Sequence, residues 1–399
     1  MEHLFITGRG LARERRRPRR KRRTAGHVCR RYGQRSRALY AVMQIMSLEI
    51  LPSRSVPAVI PSILAILFGA AIVAPGAAIQ RTRAKQVDTI VERILGLWED
   101  ADVVALGENH GSRLDSEVRL ALVRHPRFVE VVDFVVVEFA NGHRQDLLDQ
   151  YIAGETVPRS ELVTVWRDTG YETWDSPIYE AFLAALREAN AKVPNERKVR
   201  VIAGDVPIDW KSMASGRELL QYSDRGDYPT HLVDCQILAQ GRKGLLVYGA
   251  LHVLHGPGDS FVTTLDQKYP GRVRTLIGAL WPEETMARLR STLGLGAEPA
   301  LILLRDGEKR ELDEVSEWDF WSLDGFRGRP PLPLSEAVDG LIYYGDEGDE
   351  IVAIDRTTDD DAAYRSQRAH RDLLRAEFAQ IVEAEGWAGV RQYDDYTCE

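Results

Sequence analysis

Cysteine is scarce in this chain: three residues (Cys29, Cys235, Cys398) in 399. That is too few for a cysteine-based metal cluster or a multiply bridged scaffold. Beyond the N-terminal region, no stretch approaches the roughly 20 apolar residues that a membrane-spanning helix needs. Several short catalytic motifs are also missing. There is no Gly-x-Ser-x-Gly turn, no His-Glu-x-x-His, no Gly-x-x-x-x-Gly-Lys-Ser/Thr, and no Gly-x-Gly-x-x-Gly following a strand. The usual serine hydrolases, zincins, P-loop proteins and Rossmann dehydrogenases therefore have no motif support. Basic charge is depleted in the body of the chain. Residues 1–40 hold 14 of the 52 basic side chains and 2 of the 60 acidic ones, leaving 38 basic and 58 acidic for the other 359 residues. A body that acidic repels phosphate backbones, so no nucleic-acid partner is expected for the folded part.

What is present is a globular composition, 44% hydrophobic, long enough for one large domain or two small ones. The run Arg13–Arg23 can bury nothing and reads as solvated. It is either a localisation or nucleic-acid tail, or it precedes a true start at Met43 or Met46. Val56–Ala78 is uncharged, follows Arg54 and ends in Gly76-Ala77-Ala78. A basic flank, an apolar centre and small exit residues describe a secretory signal peptide, with cleavage expected after Ala78. An uncleaved N-terminal anchor is the alternative, and it is the only membrane contact expected. Export, periplasmic or extracellular, would place Cys235 and Cys398 in an oxidising compartment where they can pair. The chain thus divides into a basic segment (1–55), a signal or anchor (56–80), an α/β domain (81–345) and a C-terminal helical extension (346–399).

From Arg81 onward, helical and strand patterns alternate. Val87, Ile90, Val91, Ile94, Leu95 and Trp98 have helical spacing, as do Leu114, Val118, Ala121 and Leu122. Ser176-Pro177 opens a further helix, with Ser as cap and Pro in the first turn. Another helix is expected over Thr230–Ala239. Short apolar runs at 102–107, 132–137, 198–203, 244–248, 272–277, 300–304 and 340–344 read as strands. The fold expected is α/β: a mostly parallel central sheet flanked by helices, with a C-terminal helical tail whose stripe is Leu373, Phe378, Ile381 and Val382. In such sheets ligands bind beyond the carboxyl ends of the strands. The first four strands deliver Glu108 and His110, Glu138, Asp205, and His252 to that rim. A carboxylate or histidine after one strand is commonly a cap or a solvated loop residue. Four such groups on one rim point to a ligand, because clustered charge needs compensation.

Histidine and carboxylate without a nucleophilic serine or cysteine suit direct attack by water. A histidine takes the proton and a carboxylate orients and stabilises the imidazole. The same groups can hold a divalent metal, with His110, His252 and Glu138 as ligands. The residues alone leave both open.

Gly107-Glu108-Asn109-His110-Gly111, with Arg113 three positions past the histidine, resembles the Gly-Glu-x-x-His-Gly motif of erythromycin esterases. It is one residue shorter, nearer the Gly-Glu-x-His form of the ChaN-like haem-binding proteins within the wider Tiki/TraB group. Glu138 resembles that group's second-strand acid, Tyr248-Gly249-x-x-His252 its Gly-x-x-His motif, and Asp205 its strand-end acid. The resemblance covers about residues 103–277. It implies an esterase-type hydrolase of a small-molecule ester or lactone, macrolides being one possibility, with His110 as base. Glu108, Glu138, Asp205 and His252 would complete the site, Arg113 would stabilise an oxyanion, and no cofactor would be required. It also implies two alternatives. One is a haem carrier without turnover, with Tyr248, His252 and His255 as candidate ligands. The other is a Tiki-like metal-dependent hydrolase or protease.

The aromatic stretch Trp166–Asp175 reads equally as a lid over the site or as a packed connection. Trp210 reads as core, and His125, His143 and His231 as surface or capping groups. Thr358–Asp361 reads as a solvated helix start, and Gly325–Leu334 as a loop.

Overall fold

The computed structural model describes residues 75–170, 172–222, 226–255, 260–304, 334–355 and 361–385. The basic segment, the apolar run up to residue 74, Cys29, Cys398 and nearly all of the Pro/Gly-rich stretch before Leu334 lie outside them. Seven apolar runs form one sheet: β1 Val103–Glu108, β2 Phe134–Asn141, β3 Arg200–Asp205, β4 Gly244–Gly249, β5 Val273–Gly278, β6 Ala300–Leu303 and β7 Gly340–Tyr343. Their order is β3-β2-β4-β1-β5-β7-β6. Every pairing is parallel except β6 with β7. All residues of β1 and β4 are buried, as unbroken Val/Leu/Ile runs require when both sheet faces are covered.

One face packs on α1 (Pro75–Gly96), α2 (Arg113–Arg124), α3 (Gln145–Ala153) and α4 (Pro177–Asn190). Ile90, Ile94, Val118, Leu122, Leu148, Phe182 and Leu186 meet Val104, Leu106, Val135 and Val137 there. The other face packs on α5 (Asp227–Val233), α6 (Phe261–Lys268) and α7 (Glu283–Leu293), where Val233, Phe261, Leu265 and Leu289 meet Val103, Ala105 and Leu246. The period of two along each strand and of 3.6 along each helix produces this division. Among the described residues no helix is long and apolar enough to cross a membrane.

Three local expectations change. The helix expected over Thr230–Ala239 begins earlier, at Asp227, and its second half is a wide turn over Asp234–Leu238. Ser176 precedes Pro177 as expected but makes no side-chain cap bond. Its hydroxyl donates instead to the Val352 carbonyl at 3.0 Å. In the tail helix α8 (Ala362–Glu385), Leu373 is 71% exposed, while Leu374, Phe378 and Val382 are buried. Spacing of four from Leu374 aligns these three on one stripe, and Leu373 lies about 100° away. That stripe covers Val206, Ile208, Trp210 and Leu219. Asp361 starts the helix by accepting from the Ala363 and Tyr364 N–H groups.

The chain after β7 runs back over the β1–α2 loop. Ile351 bridges Ser112, the Val352 N–H donates to the Gly111 carbonyl, and the Arg113 N–H donates to that of Glu350. The loop that carries His110 is therefore clamped from the C-terminal side.

Candidate active site

β1 ends in Glu108, and three residues later the chain turns at Gly111, whose φ of +82° suits glycine. The turn folds His110 back so that its Nδ1 lies 3.0 Å from Glu108 Oε1. The same oxygen accepts from the Tyr179 hydroxyl at 2.9 Å, and that hydroxyl accepts from the Gly111 N–H at 2.9 Å. Glu108 Oε2 meets the Arg119 guanidinium of α2 in an ion pair that is buried on both sides. Arg119 also lies beside the rings of Tyr179 and Phe182, 5.8 and 6.0 Å from their centroids. Burial lowers the Arg119 pKa from its ordinary value, but a guanidinium stays cationic. Burial likewise raises the Tyr179 phenol, so it stays protonated and donating. With a cation and a phenol on Glu108, the carboxylate accepts, and His110 is the donor through Nδ1–H. That tautomer puts the basic lone pair on Nε2. The His110 side chain is 40% exposed and Glu108 only 2%. A buried acid thus holds a histidine that reaches solvent. Trp174 packs against the His110 ring at 4.5 Å in an edge contact, limiting its rotation.

Glu138 sits in β2 where the register with β3 shifts between Val137 and Asn141. Such irregularities re-aim side chains. Its Oε2 accepts from the Gly249 N–H at 2.7 Å, and its Oε1 lies 3.3 Å from His252 Nε2. His252 closes the short turn Ala250–His252 that follows β4. Gly249 joins the two pairs. A Cβ there would stand 2.7 Å from His110 Cε1 and 3.4 Å from Glu138 Oε2. The missing side chain is the space that His110 and Glu138 share. Four of the residues named from sequence, Glu108, His110, Glu138 and His252, thus come together at adjacent strand ends.

The others are placed differently. Asp205 is buried at the end of β3, its backbone paired with Asn141. The Arg113 guanidinium is held by Glu117 and by Glu347 at 2.7 Å, so the cation on the Glu108–His110 pair is Arg119, which the sequence reading did not single out. The Tyr248 hydroxyl is buried and donates to the Gly204 carbonyl at 3.0 Å. His255 is buried with Nε2 3.0 Å from Asp339 Oδ2, and that oxygen also accepts from the Thr275 N–H at 2.8 Å. Two of the three residues named as haem ligands are therefore committed to the interior and do not fit that role. Among the described residues no group of three or more His, Cys, Asp or Glu side chains is arranged to hold a metal. The set His110, His252 and Glu138 is thus not a preformed metal centre.

Residues 166–170 and 172–175 are packed rather than lid-like. Trp166 and Trp174 are buried, and Arg167 and Asp175 form a buried 2.7 Å pair. Trp210 is core, donating to the Asp168 carbonyl. Across β1 from the histidines, a cleft of about 810 Å³ opens at the ends of β5 and β7. Asn109, Trp281, Met286, Arg290, Tyr344 and Asp349 are among its walls. Behind it lies Asp115, buried, accepting from the Asn109 N–H at 2.8 Å and from the Tyr344 hydroxyl in a very short bond. Burial, more than any neighbour, pushes Asp115 up to about 6.

No curated protein matches the chain. Among solved structures, it is similar to a Bacillus cereus protein at 12% identity and TM-score 0.43, over 67% of this chain and 99% of that one. It is also similar to an erythromycin esterase mutant in its open conformation, at 12% identity and TM-score 0.44, over 66% of this chain and 94% of that one. A family model described as haem-binding uptake, Tiki superfamily, ChaN matches residues 94–244, a stretch that holds Glu108, His110, Glu138 and Asp205 but stops short of His252. Residues 94–244 are thus similar to the ChaN, Tiki-superfamily pattern.

Proposed function

We propose that the chain is a hydrolase of esterase type, in which His110 activates water against an ester or lactone carbonyl. The observation that carries this reading is the chain of contacts from Arg119 through Glu108 to a half-exposed His110. A buried carboxylate kept ionised by a buried cation orients the imidazole and stabilises its protonated form as it takes the proton. His252, held by Glu138, brings a second imidazole to the same rim and orients the substrate carbonyl. The partner is a small molecule. The apolar run 56–78 is read as an export signal or anchor; the disulfide bond of Cys235 suits an oxidising compartment.

The test is turnover of a panel of aryl and alkyl esters and lactones, with and without chelator. Activity that survives chelation and falls about 100-fold or more in His110→Ala, with the circular dichroism spectrum retained, is the expected result. Equal activity in that variant rejects the reading. The family description favours one other reading, a haem carrier. Hemin added to the purified chain would then give a shifted Soret band that depends on His110 or His252. The hydrolase reading expects none.

A further inference from the structure

The cleft at the ends of β5 and β7 takes no part in holding the base, yet its near wall is the backbone that carries the base. Asn109 and Ile351 both line it. Asn109 immediately precedes His110. Ile351 stands against the residue that follows His110: a Cβ on Gly111 would lie 3.0 Å from Ile351 Cγ2. Adjacent Cα atoms are about 3.8 Å apart, so the cleft begins one residue from His110 on either side. Its other walls rise from the same edge of the sheet. β5 pairs with β1 up to Gly107 and Ile277, and Trp281 follows β5 into the cleft, with Met286 of α7 and Tyr344 beyond it.

The lining says what such a cleft accepts. Ile351 is 63% exposed, and Leu373 is the only other large apolar side chain so exposed among the described residues. A lone exposed isoleucine is ordinary on a surface; this one shares a cavity wall with an indole and a thioether. The charges at the rim are mostly negative. Glu283, Asp346, Glu347 and Asp349 face a single cation, Arg290. Glu283 is paired with Arg290 and Glu347 with Arg113. Asp346 and Asp349 have no ion pair among the described residues, and Asp349 accepts only the Leu114 N–H at 3.1 Å.

We propose that this cleft seats the larger apolar portion of the substrate, with Trp281 and Ile351 as its specificity-determining walls. This rests on the hydrolase reading and names its substrate class: esters or lactones with a bulky apolar group that bears no negative charge. The volume of about 810 Å³ lies within the ~300–1,000 Å³ of sites that enclose most of a drug-sized ligand. An acetyl or methyl group leaves most of it to water, whereas each further methylene gains its transfer free energy. A carboxylate there is repelled by Asp346 and Asp349. Binding of this kind lowers KM and leaves kcat little changed, which separates it from damage to the base.

The experiment uses two homologous series on the full chain: 4-nitrophenyl esters from acetate to octanoate, and acetates of alcohols from methanol to octanol. kcat and KM are measured for wild type, Trp281→Ala, Ile351→Ser and a control, Leu373→Ser, on the tail helix outside the cleft. In at least one series kcat/KM is expected to rise about fourfold per methylene, through KM. The series that rises identifies the side of the ester that enters the cleft. The losses in Trp281→Ala and Ile351→Ser should grow with chain length, to about tenfold or more at eight carbons, while Leu373→Ser follows wild type. The mono-4-nitrophenyl ester of adipic acid should be about fivefold or more poorer than the hexanoate; equal rates on the two overturn the exclusion of anions. No rise in either series, or losses independent of length in both cleft variants, overturns the proposal and leaves the His110 reading in place. Wild type inactive on every ester rejects the hydrolase reading instead, and the neutral dye Nile red then decides the cleft. Dye bound by wild type and lost in both cleft variants upholds an apolar site there; equal binding by all three rejects it.

Discussion

His252 and His255 lie three residues apart, and each pairs through Nε2 with a buried carboxylate, yet the two pairs do opposite things. The His252 side chain is 20% exposed at the strand-end rim and lies 3.3 Å from Glu138, whose other carboxylate oxygen faces Gly249 together with His110. The His255 side chain is 10% exposed, 3.0 Å from Asp339. Asp339 is also tied to the N–H of Thr275, and the His255 N–H donates to the Ala337 carbonyl. The second pair is a bolt between β5 and the chain entering β7. A carboxylate–histidine pair is therefore not a site by itself. What distinguishes the first pair is its place at the open end of the sheet and a second histidine within reach.

The most damaging way to disturb the reactive region is to remove its buried cation. Arg119→Met leaves the buried Glu108 without its cation, which costs about 3–5 kcal/mol. Urea unfolding should show that loss, and ester turnover should fall with it. A change under about 1 kcal/mol would mean that the pair does not hold Glu108. A second effect separates the cleft side from the dyad. Burial pushes Asp115 up to about 6 in the fold, from an ordinary value of 3.8. Its contribution to stability is fully present below pH 3.8 and is lost as pH rises through about 6, because the folded state disfavours the ionised form. The shift amounts to about 3 kcal/mol across that window. Relative to Asp115→Asn, wild type should lose that much between pH 4 and pH 7. Parallel stability profiles would show that Asp115 ionises freely. The smallest effect is expected at the bolt. His255→Ala should cost about 1–3 kcal/mol of stability by leaving Asp339 short of a partner. A drop in turnover per folded molecule would break the distinction between the two histidines.

Much of this arrangement was legible in the residues. Val/Leu/Ile runs at regular intervals gave the strands, because strands buried on both faces leave no other composition. Glu108, His110, Glu138 and His252 stood out because each follows or ends such a run. The support around them was hidden for a physical reason. Asp115 and Arg119 share a helix face with Leu114, Val118 and Leu122, where a charge resembles an ordinary amphipathic interruption. Only a charged residue falling inside the buried stripe signalled it. Tyr344 lies 229 residues from the acid it bonds, a distance at which periodicity is silent. Arg113 stands three positions past His110, at the spacing of the esterase motif, but the helix brings Arg119, not Arg113, under Glu108. Tyr248 and His255 sit at motif spacing, and only the three-dimensional arrangement reveals that their polar atoms are spent inside the protein.

The central claim is that proton abstraction belongs to His110 at the rim and not to the buried His255. The direct measurement is kcat/KM on one aryl ester for His110→Ala and His255→Ala in parallel, each corrected for folded fraction. A loss of about 100-fold or more in the first, with the second within about threefold of wild type, is the predicted result. Comparable values for the two variants would contradict it.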